Sequence, residues 1–280
     1  MAVTRSMADR LNPQHRVFFA GTRQNTPLLD RIAPVRSAGF TAMSVWPGDV
    51  KGVDRAELHA ALANAELVLT DLELIGNWLP GHAGATGAFA DIVRPTTPDK
   101  ILSLAEELSI RTVSVVELLG LPWDVREMGL AFANLCDRAA DHGVRVAIEF
   151  VPTGAIADFA RALELVERAD RANGGIMVDS WHFFRSGSSL DQLAGCPGDR
   201  IFSIQINDAP AVPEDDLNIG MMNRLLPGEG ELNIQGLIDA LAETGTTAPI
   251  GIETFSARLN ALNMEEAALE CTASLNRYLI

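Results

Sequence analysis

The chain has 280 residues, 48% hydrophobic and 21% charged, with 22 Lys plus Arg against 37 Asp plus Glu and a formal net charge of −15. A chain of this length buries a large core without metal or disulfide staples, as two domains or as one α/β barrel. Its acidic balance argues against a nucleic-acid groove, which needs clustered Lys and Arg facing phosphates, and against docking on an anionic membrane surface.

Lysine occurs only at Lys51 and Lys100, so nearly every cation is an arginine. The three cysteines, Cys136, Cys196 and Cys271, are far apart and form no CxxC. Neither a disulfide framework nor a zinc ribbon is expected from them. No apolar core follows the polar start MAVTRSMADRLNPQHR, and no apolar run is long enough to span a bilayer. The expectation is a cytoplasmic protein of a reducing compartment, with no membrane and no nucleic-acid partner.

In chain order, short β-branched or apolar runs each lead into a helical pattern. Residues 16–20, 41–46 and 66–71 are the first three predicted strands. A long connection over 72–97 follows, rich in Gly and Pro and carrying Trp78 and His82. Thr97 and Pro98 then open a helix, with a capping hydroxyl and a proline at the first helical position. The fourth strand is 112–117, and the helix after it, 128–142, is stopped by Gly143. The fifth, 144–149, leads into a helix over 156–172 that places Ile156, Phe159, Leu163 and Val166 on one face. The sixth and seventh strands are 175–179 and 201–207. A second long connection, 208–235, contains RLLPGEGELN, in which Asn233 is placed to cap the next helix, and 249–253 is the eighth strand.

Strands alternating with helices call for parallel pairing and right-handed crossovers. Eight such units predict an α/β fold, a single (β/α)8 TIM barrel spanning 1–280 with a flexible amino-terminal segment over 1–15. Neither GxGxxG after the first strand nor GxxxxGK[ST] is present, which removes the main support for dinucleotide and P-loop readings.

In a barrel, polar residues at strand carboxyl ends are active-site candidates. Those ends give Glu149 (VAIEF), Asp179 (IMVDSWH), Gln205 (FSIQIND) and Glu253 (IGIETF) on strands five to eight. Converging carboxylates repel one another, and a shared cation is the simplest resolution. An oxygen-rich set suits Mn²⁺, Mg²⁺ or another fairly hard ion. His182, three residues past Asp179, is either a capping histidine or a group that bonds a substrate oxygen or moves a proton. Arg224 either belongs to a structural turn or reaches back to a substrate oxygen. Trp46, Trp123, Trp181 and Phe183 gather near the same ends, where an aromatic face can stack on a sugar or cyclitol ring. Glu117 is a further polar contact or a loop residue.

The order and spacing of IEF at Glu149, VDxxH at Asp179 and His182, QIND at Gln205 and Asp208, PGEGELN at 227–233 and IET at Glu253 resemble the sugar phosphate isomerase/epimerase family. These are xylose-isomerase-like TIM barrels, with tagatose 3-epimerase, inosose isomerase and 3-dehydroshikimate dehydratase among them. The resemblance is firmest over 144–256; the amino-terminal half agrees only in strand rhythm. It implies metal ligands at Glu149, Asp179, Gln205 and Glu253, paired acid/base carboxylates at Glu149 and Glu253, and substrate contacts at His182 and Arg224. It further implies one divalent ion, Mn²⁺ first and Mg²⁺, Co²⁺ or Zn²⁺ as alternatives, a small polyol or keto-sugar substrate, and a possible homo-oligomer, dimer or tetramer. Many epimerases carry His where this chain has Gln205, and Gln there looks more like the dehydratase branch. The implied activity is an isomerase or epimerase working through an enediolate, with a dehydratase as the alternative and a non-catalytic sugar-binding barrel as the different-class reading. A Schiff-base aldolase is disfavoured, because neither lysine sits at a strand end. An endonuclease-type member would need a basic groove.

Overall fold

Eight parallel strands close into a barrel in sequence order: β1 (Arg16–Phe18), β2 (Ala42–Val45), β3 (Val68–Ile75), β4 (Thr112–Val115), β5 (Arg145–Glu149), β6 (Gly174–Asp179), β7 (Ile201–Ile206) and β8 (Ile250–Ile252). The chain is seen here in a computed structural model that describes residues 13–87 and 89–279. Most of the expected flexible segment, 1–12, lies outside the described residues. Gln14 and His15 are tied to the barrel, through Gln14 N–H to Thr247 O and Ile250 N–H to His15 O, both 3.0 Å.

The alternation of side chains along each strand explains both layers of the core. On β5, β6 and β7, Val146, Ile148, Ile176, Val178, Ile204 and Ile206 point outward into the main core shared with the helices. Ala147 and Met177 point inward and pack with Val17, Phe19, Ala42 and Phe202 in a separate interior cluster. Two residues further on, the same inward face reaches Glu149 and Asp179. Polar ends on an apolar strand are therefore carried to the barrel mouth by register alone. Gly251 keeps β8 close to β1, since a Cβ there would lie 1.7 Å from the Val17 carbonyl oxygen.

Helices cover the outside. Leu28–Ser37, Arg55–Ala65, Pro98–Glu107, Val125–Ala140, Phe159–Ala169, Ile234–Glu243 and Met264–Leu275 are the longer ones. Asp124 caps Val125–Ala140 by accepting from Arg126 and Glu127 N–H, so that helix starts before the expected residue 128. Asp158 accepts from Arg161 N–H and starts Phe159–Ala169 three residues later than expected. Asn233 caps the next helix through Gly236 N–H, as its position in the sequence predicts. Among the described residues no helix is long and apolar enough to cross a membrane, and the three cysteines are free and buried.

The largest departure from the sequence reading is β3. It runs to Ile75 rather than ending at 71, so residues 72–75 belong to the sheet and not to the long connection. The remainder of that connection contains a 3-10 turn (His82–Gly84) and a short helix (Ala90–Val93). Pairing of β3 with β4 shifts register between Leu72 and Ile75. Such an irregularity re-aims side chains, and here Glu73 and Leu74 both line the cavity described below.

Asp71 is fully buried inside the barrel, and burial pushes its carboxyl up to about 6, against partial relief from the Thr70 and Ser203 hydroxyls and Arg145. The folded protein holds this proton to about pH 6, while the unfolded chain releases it near the ordinary 3.8. Stability therefore falls as pH rises through that window, and the full cost, at most about 3 kcal/mol, is present above it. Asp71→Asn is expected to raise the thermal midpoint at pH 8 and to have little effect at pH 4. Calorimetry in chelator at the two pH values checks this; an equal change at both would contradict it.

Candidate active site at the carboxyl ends of the strands

A cavity of about 290 Å³ opens at the carboxyl ends of the strands. Glu73, Glu149, His182, Arg224 and Glu253 line it together with an apolar wall that includes Trp46, Leu74, Phe89, Leu118, Val151, Met221 and Phe255. Trp46 stacks on Phe255 with ring centroids 6.1 Å apart.

Arg224 is the hub of the polar groups. Its Nη1 donates to Asp179 Oδ2 at 2.8 Å and lies 3.4 Å from Glu253 Oε2, while Nε donates to Met221 O at 2.9 Å. Its guanidinium carbon sits 4.8 Å from the Phe255 ring centroid and 5.6 Å from that of Trp181. Flanking aromatic faces of this kind stabilise a desolvated cation. The RLLPGEGELN loop that delivers Arg224 is cinched by Asp208, whose carboxylate accepts from the N–H groups of Gly228, Gly230 and Leu232 at 2.9–3.0 Å.

Asp179 ends β6 and caps the short helix Ser180–Arg185, accepting from His182 N–H at 3.0 Å. Asn207, the residue after β7, donates to Asp179 Oδ2 at 2.8 Å and to the Glu253 carbonyl at 3.0 Å, joining the ends of β6 and β8. His182 Nε2 is 3.3 Å from Arg224 Nη2 and 3.6 Å from Glu149 Oε1. Burial pulls this imidazole down to about 4. It is therefore neutral at physiological pH, and we assign the tautomer whose Nε2 accepts from Arg224. Its Nδ1 has no partner.

Burial, with help from neighbouring charges, raises three of the carboxyls. Glu149 is held well above its ordinary range by burial first and then by the charges of Glu253 and Asp179. Glu253 is pushed up to about 7 by burial, with Arg224 pulling the other way. Glu73, which reading the sequence alone missed, is likewise raised by burial and by Glu253 and Glu149. Gln205 Nε2 lies 3.4 Å from Glu73 Oε2, while Gln205 Oε1 and Glu73 Oε1 are buried without a hydrogen-bond partner.

An all-oxygen set that includes the orphaned buried Gln205 Oε1, with orphaned Glu73 Oε1 beside it, has the donor chemistry of a site for a hard divalent cation. As the side chains stand, however, no group of three or more His, Cys, Asp or Glu residues among the described residues is placed to hold a metal ion. Two of the donors, Asp179 and Glu253, lie instead against the Arg224 guanidinium, itself a cation, at 2.8 and 3.4 Å. The donor chemistry fits the ion.

The other sequence candidates fall in different places. Trp46 lines the cavity. Trp181 does not; it is buried with Val151, Ala209 and Met221 and meets His182 edge-on at 5.3 Å, backing His182 and Arg224. Phe183 belongs to the main core, and Trp123 packs partly buried against it. Glu117 also lies outside the lining. It accepts from Leu119, Gly120 and Ala155 N–H at 3.0, 3.0 and 2.6 Å, and His82 Nε2 is 3.5 Å away. Burial pushes Glu117 up, but His82 and those three N–H donors outweigh it and hold the carboxyl below its usual range. The structure thus gives Glu117 the task of fastening loops, where a substrate contact was one of two expectations. Phe89 and Phe255 line the cavity and were not singled out in the sequence.

The comparisons with known proteins agree with this architecture. The chain is 33% identical over 139 residues to the inosose isomerase of Bacillus subtilis (strain 168), a match covering 48% of each protein. It is 31% identical over 143 residues to the 3-dehydroshikimate dehydratase of Pseudomonas aeruginosa, covering 51% of this chain and 23% of that protein. The matches thus span about half, or less, of the length of these curated relatives. A crystal structure described as IOLI protein with a zinc atom superposes with a TM-score of 0.79 at 22% identity, covering 95% of this chain and 99% of that one, which is a likeness of fold. The model of the xylose isomerase-like TIM barrel family matches residues 32–275. With its closed eight-stranded barrel, the chain belongs to the xylose isomerase-like TIM barrel family.

Proposed function

We propose that the chain is a divalent-metal-dependent isomerase or epimerase that removes a proton beside the carbonyl of a keto-sugar or cyclitol ketone. One observation carries the reading: two buried carboxyls of raised pKa, Glu149 and Glu253, line one cavity with a neutral His182 and an arginine. A general base works best when its pKa lies near the operating pH, and burial with like-charge neighbours achieves that for a carboxylate.

Glu149, Asp179, Gln205 and Glu253 would hold the divalent ion, Mn²⁺ in our reading. When bound, the ion polarises the substrate carbonyl and favours the enediolate. The remaining steps belong to side chains. One of Glu149 and Glu253, ionised, takes the α-proton, and the other, protonated, returns one. Return on the opposite face of the same carbon is epimerisation; return to the neighbouring carbon is isomerisation. Neutral His182 offers a hydrogen bond to a substrate oxygen, and Arg224 stabilises developing negative charge. The apolar wall keeps water from the reacting carbon. The three free, buried cysteines accord with a cytoplasmic placement.

Gln205 favours one second reading. Its neutral amide, together with the similarity to a 3-dehydroshikimate dehydratase, supports loss of a β-hydroxyl after the same proton abstraction, with a carboxyl protonating the departing group so that water leaves.

Solvent exchange tests both. Manganese-loaded protein in D₂O is incubated with a panel of keto-sugars, inososes and dehydroshikimate and followed by NMR. Deuterium is expected at the carbon beside the carbonyl of at least one compound, and the product separates the two reactions. Binding of a sugar with no exchange in any would leave a non-catalytic sugar-binding barrel instead.

A further inference from the structure

The polar and apolar liners of the cavity are separated by depth. Every ionisable side chain that lines it is almost wholly buried, at 8% exposure or less, whereas Ile92 and Met222, at 46% and 48%, carry the lining out to solvent. Between these limits the wall formed by Leu74, Phe89, Val116, Leu118 and Val151 offers no polar side chain. The hydroxyl-bearing liner, Thr96, spends its hydroxyl on the backbone: it accepts from Gly76 N–H at 3.1 Å and donates to Ile92 O at 2.8 Å. Several backbone groups there are committed too. Val116 O accepts from Trp78 Nε1 at 2.8 Å, Val151 N–H donates to Ile156 O at 2.9 Å, and Thr96 O accepts from Gly76 and Asn77 N–H at 3.2 Å. Among the described residues the one lining cation, Arg224, is shared by Asp179 and Glu253.

A hydroxyl placed against this wall would lose its water and gain no partner. A phosphate carried at the end remote from the carbonyl would lie against this apolar wall and not at Arg224, and would face an acidic protein. We infer that the substrate is an amphiphilic hydroxy ketone: polar where it reacts, and deoxygenated or hydrocarbon at the end remote from the carbonyl. This rests on the function proposed above and narrows it, since a substrate hydroxylated or phosphorylated at its far end is selected against.

The test uses manganese-loaded protein and the D-ketohexoses, each paired with its 6-deoxy analogue and its 6-phosphate. Affinity is read by calorimetry, and deuterium exchange is read in parallel. The 6-deoxy member of the best-bound pair is expected to bind about 10- to 100-fold more tightly than its parent, and the phosphate more weakly than either. Parent or phosphate binding as tightly as the deoxy sugar overturns the inference, and so does the absence of binding by every member. A clear deoxy preference without exchange upholds it and counts instead against the proposed reaction. Leu118→Asn is expected to shrink the preference severalfold. Ile92→Asn, at a half-exposed position that leaves folding intact, is expected to shrink it in the same direction. Retention of the full preference by both folded variants overturns the assignment of this wall.

Discussion

Glu253→Gln and Glu149→Gln are each expected to lower kcat/KM by about a thousandfold while raising the thermal midpoint of the metal-free protein at pH 8. The two effects come from one cause. General acid–base catalysis contributes about 10²–10⁴ in rate, and an amide can neither take the α-proton nor return it. The same carboxyls are costly to the fold, because burial and then the charge of Asp179 help to hold both above their ordinary range. For Glu253, about 7 when folded against the ordinary 4.5 when unfolded, stability falls as pH rises through that interval, and the cost is fully present at pH 8. Glutamine removes the charge at nearly constant shape, and Arg224 keeps Asp179 as a partner. A gain on the order of 1 kcal/mol would appear as about 2–4 °C in a chain of this size. Solvent-exchange rates and calorimetry on the same preparations check the pair. Near-normal exchange in either variant would remove that residue from proton transfer, and a lowered midpoint would mean that the carboxylate is held favourably by contacts other than those described.

Metal removal has the second large effect. Dialysis against chelator is expected to silence turnover, and Mn²⁺ or a similar ion to restore it. A ligand that binds only the folded state stabilises it by mass action, about 2.7 kcal/mol at a hundredfold excess over Kd. Saturating Mn²⁺ should therefore raise the thermal midpoint as well. Gln205→Leu isolates the amide. It removes a buried oxygen that has no hydrogen-bond partner, together with the long 3.4 Å contact of Nε2 to Glu73 Oε2, and leaves Arg224 with Asp179 and Glu253. Most of the Mn²⁺ shift should disappear in this variant, with the metal-free midpoint little changed. Full activity in rigorously metal-free protein would contradict the reading.

The strand ends that form the floor of the cavity were legible because β5, β6 and β8 alternate strictly. In each, the inward position directly after an outward Ile or Val (Ile148, Val178, Ile252) is a Glu or Asp. Glu73 was not legible. Its strand breaks register near its end, so the period that marks the other strands fails at the residues that reach the cavity. Arg224 stood out in its glycine-bearing loop, but its partners did not: Asp179 is 45 positions away and Glu253 is 29. Sequence alone balanced a structural turn against a substrate contact, and the side chain is an ion-pair hub. Trp181 was read toward the ligand because it follows a strand end. The helix that Asp179 caps turns it inward instead, against Val151 and Met221. Glu117 had two readings, and its carboxylate accepts from three converging backbone N–H groups, one of them Ala155 from the next loop, which the sequence did not reveal. Non-local contacts of this kind leave no periodic trace.

The most direct measurement of the central claim is an anomalous-difference map at the manganese edge, from crystals grown with excess Mn²⁺. The account predicts a single strong peak among Glu149, Asp179, Gln205 and Glu253, with the Arg224 guanidinium withdrawn from at least one of its two carboxylates. No peak there, with Arg224 still bridging Asp179 and Glu253, would contradict it.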